Sequence, residues 1–185
     1  MNIFEKKKFE RHTFKKFRDE ISIKQRENVE KNVKLYVDSF VKEHKNIGYI
    51  AIYWPLNNEI DIRSLKDKIS LALPRCKDNK ELLFYPWDEK ALTKDSEGIL
   101  SPNNSFSLSH KQISLIFVPC LSVDKNLIRL GYGGGYFDKL RRDKNWRNVP
   151  CIGVLTSNCL STNPLTKAEW DIPLSGFITE KEIFV

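Results

Sequence analysis

"ISLIFVPCLSVDKNLIRLGYGGGYFDKL" runs from Ile113 to Leu140. Its first nine residues are almost all apolar, so a strand here would be buried on both faces. Its last twelve residues contain four of the chain's eight glycines, together with Arg129, Tyr132, Tyr136, Phe137 and Asp138. A short basic helix through about Arg142 is expected next. A buried strand, a glycine-rich connection and a helix form the repeating unit of a parallel sheet covered on both faces. In such sheets ligands lie beyond the carboxyl ends of the strands, which is where this glycine stretch falls.

The rest of the chain fits that unit. Phe14, Phe17 and Ile21, and then Val29, Val33, Val37, Phe40 and Val41, recur at helical spacing. They predict two amphipathic helices over about 3–20 and 24–44, with a break near Ser22. Lys45-Asn46 closes the second. "IGYIAIYWP" reads as a buried strand ended by Pro55, and Asp61 as the cap of a short helix leading through Leu65. "ISLALPR" and "LLFYPW" read as further strands, and residues 88–110 as a long irregular connection. "VPCIGVLTS" is another buried strand, with "GFITE" and "EIFV" as short edge pieces. The expected fold class is α/β, a three-layer arrangement with a mainly parallel sheet and helices on both faces, in one domain over 1–185.

The chain has 185 residues, 41% hydrophobic and 30% charged, as in ordinary globular domains. No apolar run approaches a membrane span. The basic start has no apolar signal core, so a cytoplasmic protein is expected. Cys76, Cys120, Cys151 and Cys159 lack any C-x-x-C spacing and read as reduced thiols. The net charge is +7, and residues 1–34 carry eleven Lys/Arg against six Asp/Glu. That bias suits an anionic partner: nucleic acid, a membrane surface, or a phosphorylated or carboxylated small molecule. His12, His44 and His110 suggest no metal cluster or catalytic triad.

The glycine stretch is neither a Walker A loop nor the dinucleotide fingerprint, since Tyr136 stands where the third glycine belongs. Gly133, Gly134 and Gly135 would still let backbone N–H groups converge on an anion, with charge from Arg129, Lys139 and Arg141. Asp138 is unfavourable beside a phosphate unless a divalent cation lies between them. Alone, the loop supports either a metal–nucleotide site or a structural turn.

"RLGYGGGYFDKL" resembles the signature of the 5-formyltetrahydrofolate cyclo-ligases, the 5,10-methenyltetrahydrofolate synthetases. Arg11 and Lys15, "IYWPLNNEID", "LPR" at 73–75, "GILSP" at 98–102 and "EWDIPLSGFITE" match other family segments in order. The resemblance implies an ATP- and Mg²⁺-dependent closure of 5-formyltetrahydrofolate to 5,10-methenyltetrahydrofolate, with ADP and phosphate released. It implies that Arg11, Lys15, Arg129, Leu130, Gly131, Tyr132, Gly133, Gly134, Gly135, Tyr136 and Phe137 bind ATP. It also implies that Trp54 and Glu59, with Tyr132 to Tyr136, bind the folate, and that Asp138 and Asp171 bind Mg²⁺. No side chain is singled out as catalytic. Ser101, Trp170 and Ser175 depart from the family pattern, which favours Glu, His and Asp there. The expected partners are the two substrates, with no nucleic acid and no membrane, and the chain is expected to act as a monomer. Two alternatives remain at this level. One is a nucleic-acid-binding protein using the basic N-terminal helices. The other is a relative that binds folate or nucleotide but serves another substrate.

Overall fold

A computed structural model describes residues 1–88 and 90–185. Helix α1 (Ile3–Asp19) opens at Asn2, whose side chain accepts the N–H groups of Phe4 and Glu5 while Glu5 accepts that of Asn2. Helix α2 (Ile23–Glu43) opens with the same reciprocal box between Ser22 and Gln25, so the break near Ser22 is a helix start. The strands and short helices follow in order: β1 (Tyr49–Ala51), β2 (Leu71–Lys77), β3 (Glu81–Pro86), β4 (Thr93–Lys94), β5 (Leu100–Ser101), β6 (Ile113–Pro119), β7 (Ser122–Asp124), β8 (Arg129–Leu130), α3 (Tyr136–Leu140), α4 (Lys144–Arg147), β9 (Cys151–Val154), β10 (Leu160–Ser161), β11 (Gly176–Ile178) and β12 (Ile183–Phe184).

Seven strands form the central sheet, in the order β12-β11-β9-β6-β1-β2-β3. The five inner strands are parallel, and β3 and β12 run antiparallel at the two edges. Strand residues alternate between two cores. Ile50, Leu71, Leu115, Phe117 and Ile152 meet Val29, Val33, Val37 and Phe40 of α2. Ala51, Ala72, Ile116, Val118 and Cys151 face the other way, toward Phe137 and Leu140 of α3 and Trp146 of α4. The sheet is thus mainly parallel and carries helices on both faces, as its doubly apolar strands require.

Helix α1 lies apart from both layers. Its buried Phe14 packs with Leu121, Ile128, Leu130 and Leu165 around a small sheet, β10-β7-β8. Asp124, 2% exposed, fixes that hairpin by accepting the N–H groups of Asn126, Ile128 and Leu165 at 2.8–2.9 Å. The β8 strand leads directly into the glycine stretch.

Several elements are shorter than expected. β1 ends at Ala51, because the chain turns toward Pro55, which has no N–H to give a ladder. β9 ends at Val154, and a 3-10 turn over Ser157–Cys159 follows. The segment after β1 forms a 3-10 turn (Arg63–Asp67), with Asp61 accepting the Arg63 N–H at 3.0 Å. The 88–110 connection contains the β4–β5 hairpin and a bridge from Leu108 to Phe84. Two-residue strands are too short to show a period in sequence. Glu89, inside that stretch, lies outside the described residues. All four cysteines are free and buried. Among the described residues, no helix is long and apolar enough to cross a membrane.

Candidate active site

The carboxyl ends of β1, β2 and β6 open on a cleft of about 260 Å³. One wall is the glycine stretch: Arg129 to Asp138 all line it. Gly133 (φ 106°) and Gly135 (φ 77°) occupy the left-handed region, which L side chains rarely adopt. Gly131 is required for another reason: a Cβ there would sit 2.9–3.1 Å from the Arg129 guanidinium. Gly134 is the least constrained: its φ is not positive, and a Cβ would crowd only the Tyr136 ring, at 3.1 Å. Three glycines therefore serve the loop itself, and Gly134 leaves a bare backbone facing the cleft.

Arg129 ties this wall to the sheet. Its guanidinium donates to the Pro119 carbonyl at the end of β6 at 3.2 Å, and to Asp138 Oδ1 at 2.9 Å. Burial would lower its pKa, but Asp138 above all, with the Cys120 and Cys151 thiols, offsets that and raises it above the usual arginine value. Lys139 and Arg141 do not join the cleft. Lys139 donates to the Asn79 carbonyl, and buried Arg141 donates to the carbonyls of Ile172 and Pro173.

Helix α1 supplies a second side. Arg11 Nε donates to the Gly131 carbonyl at 2.9 Å, and Lys7 pairs with Asp171. Lys15, four residues beyond Arg11, lines instead an adjoining cavity of about 420 Å³ with Arg18, Trp54 and Tyr132. The structure therefore separates Arg11 from Lys15, although both point from one face of α1.

The opposite side comes from the segment after β1. Tyr53, Trp54, Leu56 and Glu59 line the cleft. Trp54 lies under Arg63 (4.3 Å) and edge-on to Trp87 (6.1 Å). Glu59 Oε2 accepts the Leu56 N–H at 2.8 Å, while its Oε1 is buried without a partner. Burial raises the Glu59 pKa; the Leu56 N–H, the Tyr132 hydroxyl, Arg18 and Arg129 pull it partly back. Burial and the Glu59 charge push the Tyr132 phenol far up. Cys76 also lines the cleft, its thiol pushed up to about 12 by burial and then by Asp95.

Asp138 and Asp171 share the wall of one narrow cavity with Arg129 and Arg141. Each carboxylate is already paired with a cation, Asp138 with Arg129 and Asp171 with Lys7. Among the described residues no group of three or more His, Cys, Asp or Glu is placed to hold a metal ion. Two carboxylates suit Mg²⁺ that keeps water and brings substrate phosphate as its remaining ligands.

Lys7, Arg18, Tyr53, Asp95, Glu97 and Ile99 were not foreseen. For Lys7 and Arg18 a signal exists, because 7, 11, 15 and 18 continue one helical face. For Asp95–Ile99 there is none: the β4–β5 turn reaches the site only through tertiary structure. Asp95 pins that turn to β2 by accepting the Cys76 N–H at 2.8 Å, and Glu97 accepts the Tyr136 hydroxyl at 2.5 Å. The three departures from the family pattern fill structural positions. Ser101 accepts from Arg75 at 3.3 Å, Trp170 packs with Phe4 and Arg142, and Ser175 accepts the Cys151 N–H at 3.0 Å.

The sequence profile of the 5-formyltetrahydrofolate cyclo-ligase family matches residues 3–180. A 5-formyltetrahydrofolate cyclo-ligase of Haemophilus influenzae is 26% identical over 175 residues, covering 89% of this chain and 92% of its own. That of Mycoplasma pneumoniae is 22% identical over 161 residues, covering 87% and 90%. The 5,10-methenyltetrahydrofolate synthetase of Aquifex aeolicus superposes with a TM-score of 0.75 at 25% identity, covering 96% of this chain and 91% of that one. The M. pneumoniae 5,10-methenyltetrahydrofolate synthetase has the same fold, with a TM-score of 0.71 at 23% identity over 94% of this chain and 98% of that one. A glycine stretch at the strand ends, a basic helix across it and a profile match over nearly the whole length lead to one conclusion: this chain belongs to the 5-formyltetrahydrofolate cyclo-ligase family.

Proposed function

We propose that the chain closes 5-formyltetrahydrofolate to 5,10-methenyltetrahydrofolate, with ATP as co-substrate. The carrying observation is that one cleft has two chemically different sides. One is cationic with bare backbone (Arg11, Arg129, Gly131 to Gly135). The other is aromatic and acidic (Tyr53, Trp54, Glu59). A polyphosphate suits the first and a reduced pterin with N–H donors suits the second.

The formyl group is amide-like and a poor electrophile. Its oxygen attacks the γ-phosphorus of ATP, and ADP leaves. The neighbouring folate nitrogen then attacks the formyl carbon and gives up its proton. The C–O bond breaks as phosphate departs. Positioning and charge neutralisation are the protein's main contributions. In this reading Arg11, with Arg129, Leu130 and the run Gly131 to Phe137, holds ATP. Lys15 reaches it from the adjoining cavity. Trp54 and Glu59, with Tyr132 to Tyr136, hold the folate. Asp138 and Asp171 would hold Mg²⁺, which supplies charge neutralisation at the phosphate oxygens. The enzyme acts as a cytoplasmic monomer without a nucleic-acid partner. In support, Lys7 and Arg11, two of the cations a nucleic acid would use, are engaged at the cleft.

The test is to mix the pure protein with 5-formyltetrahydrofolate and MgATP and follow methenyltetrahydrofolate absorbance. ATP-dependent growth of that absorbance is expected. Binding of both ligands without it would point to a relative that serves another substrate.

A further inference from the structure

Next to Glu59, sharing Tyr53, Pro119 and Tyr132 with the open cleft, is a cavity of about 10 Å³. It is lined by Arg18, Tyr53, Glu59, Cys120, Tyr132 and Thr156, among others. Two of these lining residues each carry a buried polar atom without a partner, Arg18 Nε and Glu59 Oε1. One is a donor and the other an acceptor. A cavity of this size holds one water molecule, and such a water needs polar partners of these two kinds. Arg18 is otherwise well held. Its side chain is 14% exposed, and its guanidinium lies 5.2 Å from the centre of the Tyr132 ring.

We propose that Arg18 is a positioning residue: through one water in this cavity it holds the Glu59 carboxylate as an anion aimed at the folate. The inference rests on Glu59 being the folate-binding acid of the preceding section. Arg18 Nε–H donates to the water, and the water donates to Glu59 Oε1. Oε2 is fixed by the Leu56 N–H. Both oxygens are then held, and the carboxylate plane is set before substrate arrives.

The charged and titratable surroundings of Glu59 come from every element packed on it. Arg18 comes from α1, and Arg26 of α2 donates to the Glu59 carbonyl at 3.4 Å. Tyr53 follows β1, Cys120 follows β6, Arg129 lies on β8 and Tyr132 on the glycine stretch; Asp61 is two residues on. Burial opposes the charge on Glu59, and Arg18 and Arg129 favour it. Arg129 is already committed to Asp138. Arg18 has no carboxylate held as closely: Asp19 is at 3.6 Å and exposed, and the other neighbour of Arg18 is the uncharged Tyr132, whose hydroxyl also faces Glu59.

Three proteins test this: wild type, Arg18→Met and Arg18→Lys. The Glu59 carboxyl is titrated by carbon NMR without ligand, with Glu59→Gln identifying its signal. Removing the nearby positive charge favours the protonated form. The titration midpoint should rise in Arg18→Met and recover only part-way in Arg18→Lys, which keeps the charge but not the Nε–H. If Arg18→Met does not fold, Arg18→Lys alone decides. A wild-type midpoint in the folded variants overturns the inference. Calorimetry with 5-formyltetrahydrofolate at pH 6 and pH 8 tests the link to binding. The loss of affinity in Arg18→Met should be about fivefold greater at pH 6, where more of the variant's Glu59 is protonated. An equal loss at both pH values would make Arg18 a packing residue and overturn the positioning role. A wild type that binds no 5-formyltetrahydrofolate would instead sink the proposed function, and the ligand-free titration would still decide the Arg18–Glu59 link.

Discussion

The two ends of the cleft hold their acids in opposite ways. At the Asp138–Asp171 end each carboxylate has a cation beside it, Arg129 or Lys7, and Asp171 also accepts the Ala168 N–H at 2.7 Å. At the other end Glu59 is half-buried, with one oxygen held by a backbone N–H and the other unpartnered. The first arrangement is satisfied within the protein. The second costs stability, because burial disfavours the charged form. A fold retains such a cost where a ligand makes it good. In the proposed reading the acids differ in purpose: one end neutralises and orders, and Glu59 meets the folate.

The largest expected effect breaks the paired end. Asp138→Asn should keep the fold and lower turnover about a hundredfold or more, the scale of several kcal/mol of lost charge stabilisation. Rates measured across Mg²⁺ concentrations check it, and an unchanged rate at limiting Mg²⁺ would remove Asp138 from the metal site. Next is the glycine wall. Gly134→Val should weaken ATP binding at least about tenfold in calorimetry with little change in melting temperature. Gly135→Ala should in addition destabilise the fold by about 1 kcal/mol, the strain at positive φ, and so lower the melting temperature. If Gly134→Val binds ATP normally, the wall is only a turn.

Much of this was legible in sequence, and the reasons for the rest are specific. The doubly apolar 113–118 run announced a buried parallel strand, and apolar spacing announced the two N-terminal helices with a break near Ser22; that Asn2 and Ser22 cap them came from the structure. Glycine content located the wall. What sequence could not supply was the partner of each charge. Arg141 is next to the loop in sequence yet holds the Ile172 and Pro173 carbonyls, whereas Lys7, far away in sequence, reaches Asp171. The Asp95–Ile99 turn was invisible because β4 and β5 are two residues each. Arg11 and Lys15 share a helical face, but that face spans two adjoining cavities, which spacing alone does not reveal.

That separation gives a smaller expected effect. Arg11→Gln should raise the KM for ATP about fivefold, and Lys15→Gln should raise it less. Equal increases would restore the pair as one phosphate clamp. The smallest effects are on stability and depend on sign. Glu59 has a raised pKa in the folded protein, so its ionisation costs stability above that pKa and costs nothing once pH falls below its unfolded value. Glu59→Gln is therefore expected to raise the melting temperature slightly at pH 8 and not at pH 4. Glu180 has the opposite sign. Burial raises its pKa, but the Ser157 hydroxyl and N–H bring it below the usual value. Its contribution is present above the unfolded pKa and is lost as pH falls through the folded one. Glu180→Gln should lower the melting temperature at neutral pH and lose that effect in acid.

The division of the cleft into a nucleotide side and a folate side is tested most directly by titrating Glu59→Gln separately with 5-formyltetrahydrofolate and with MgATP. Gln keeps the shape and removes the charge. A charge-assisted hydrogen bond of about 1.5–3 kcal/mol corresponds to a roughly ten- to hundredfold loss of folate affinity. MgATP affinity should stay within about twofold of wild type, on the scale of a surface substitution. Loss of MgATP affinity with folate affinity intact would contradict the account and move Glu59 to the nucleotide side.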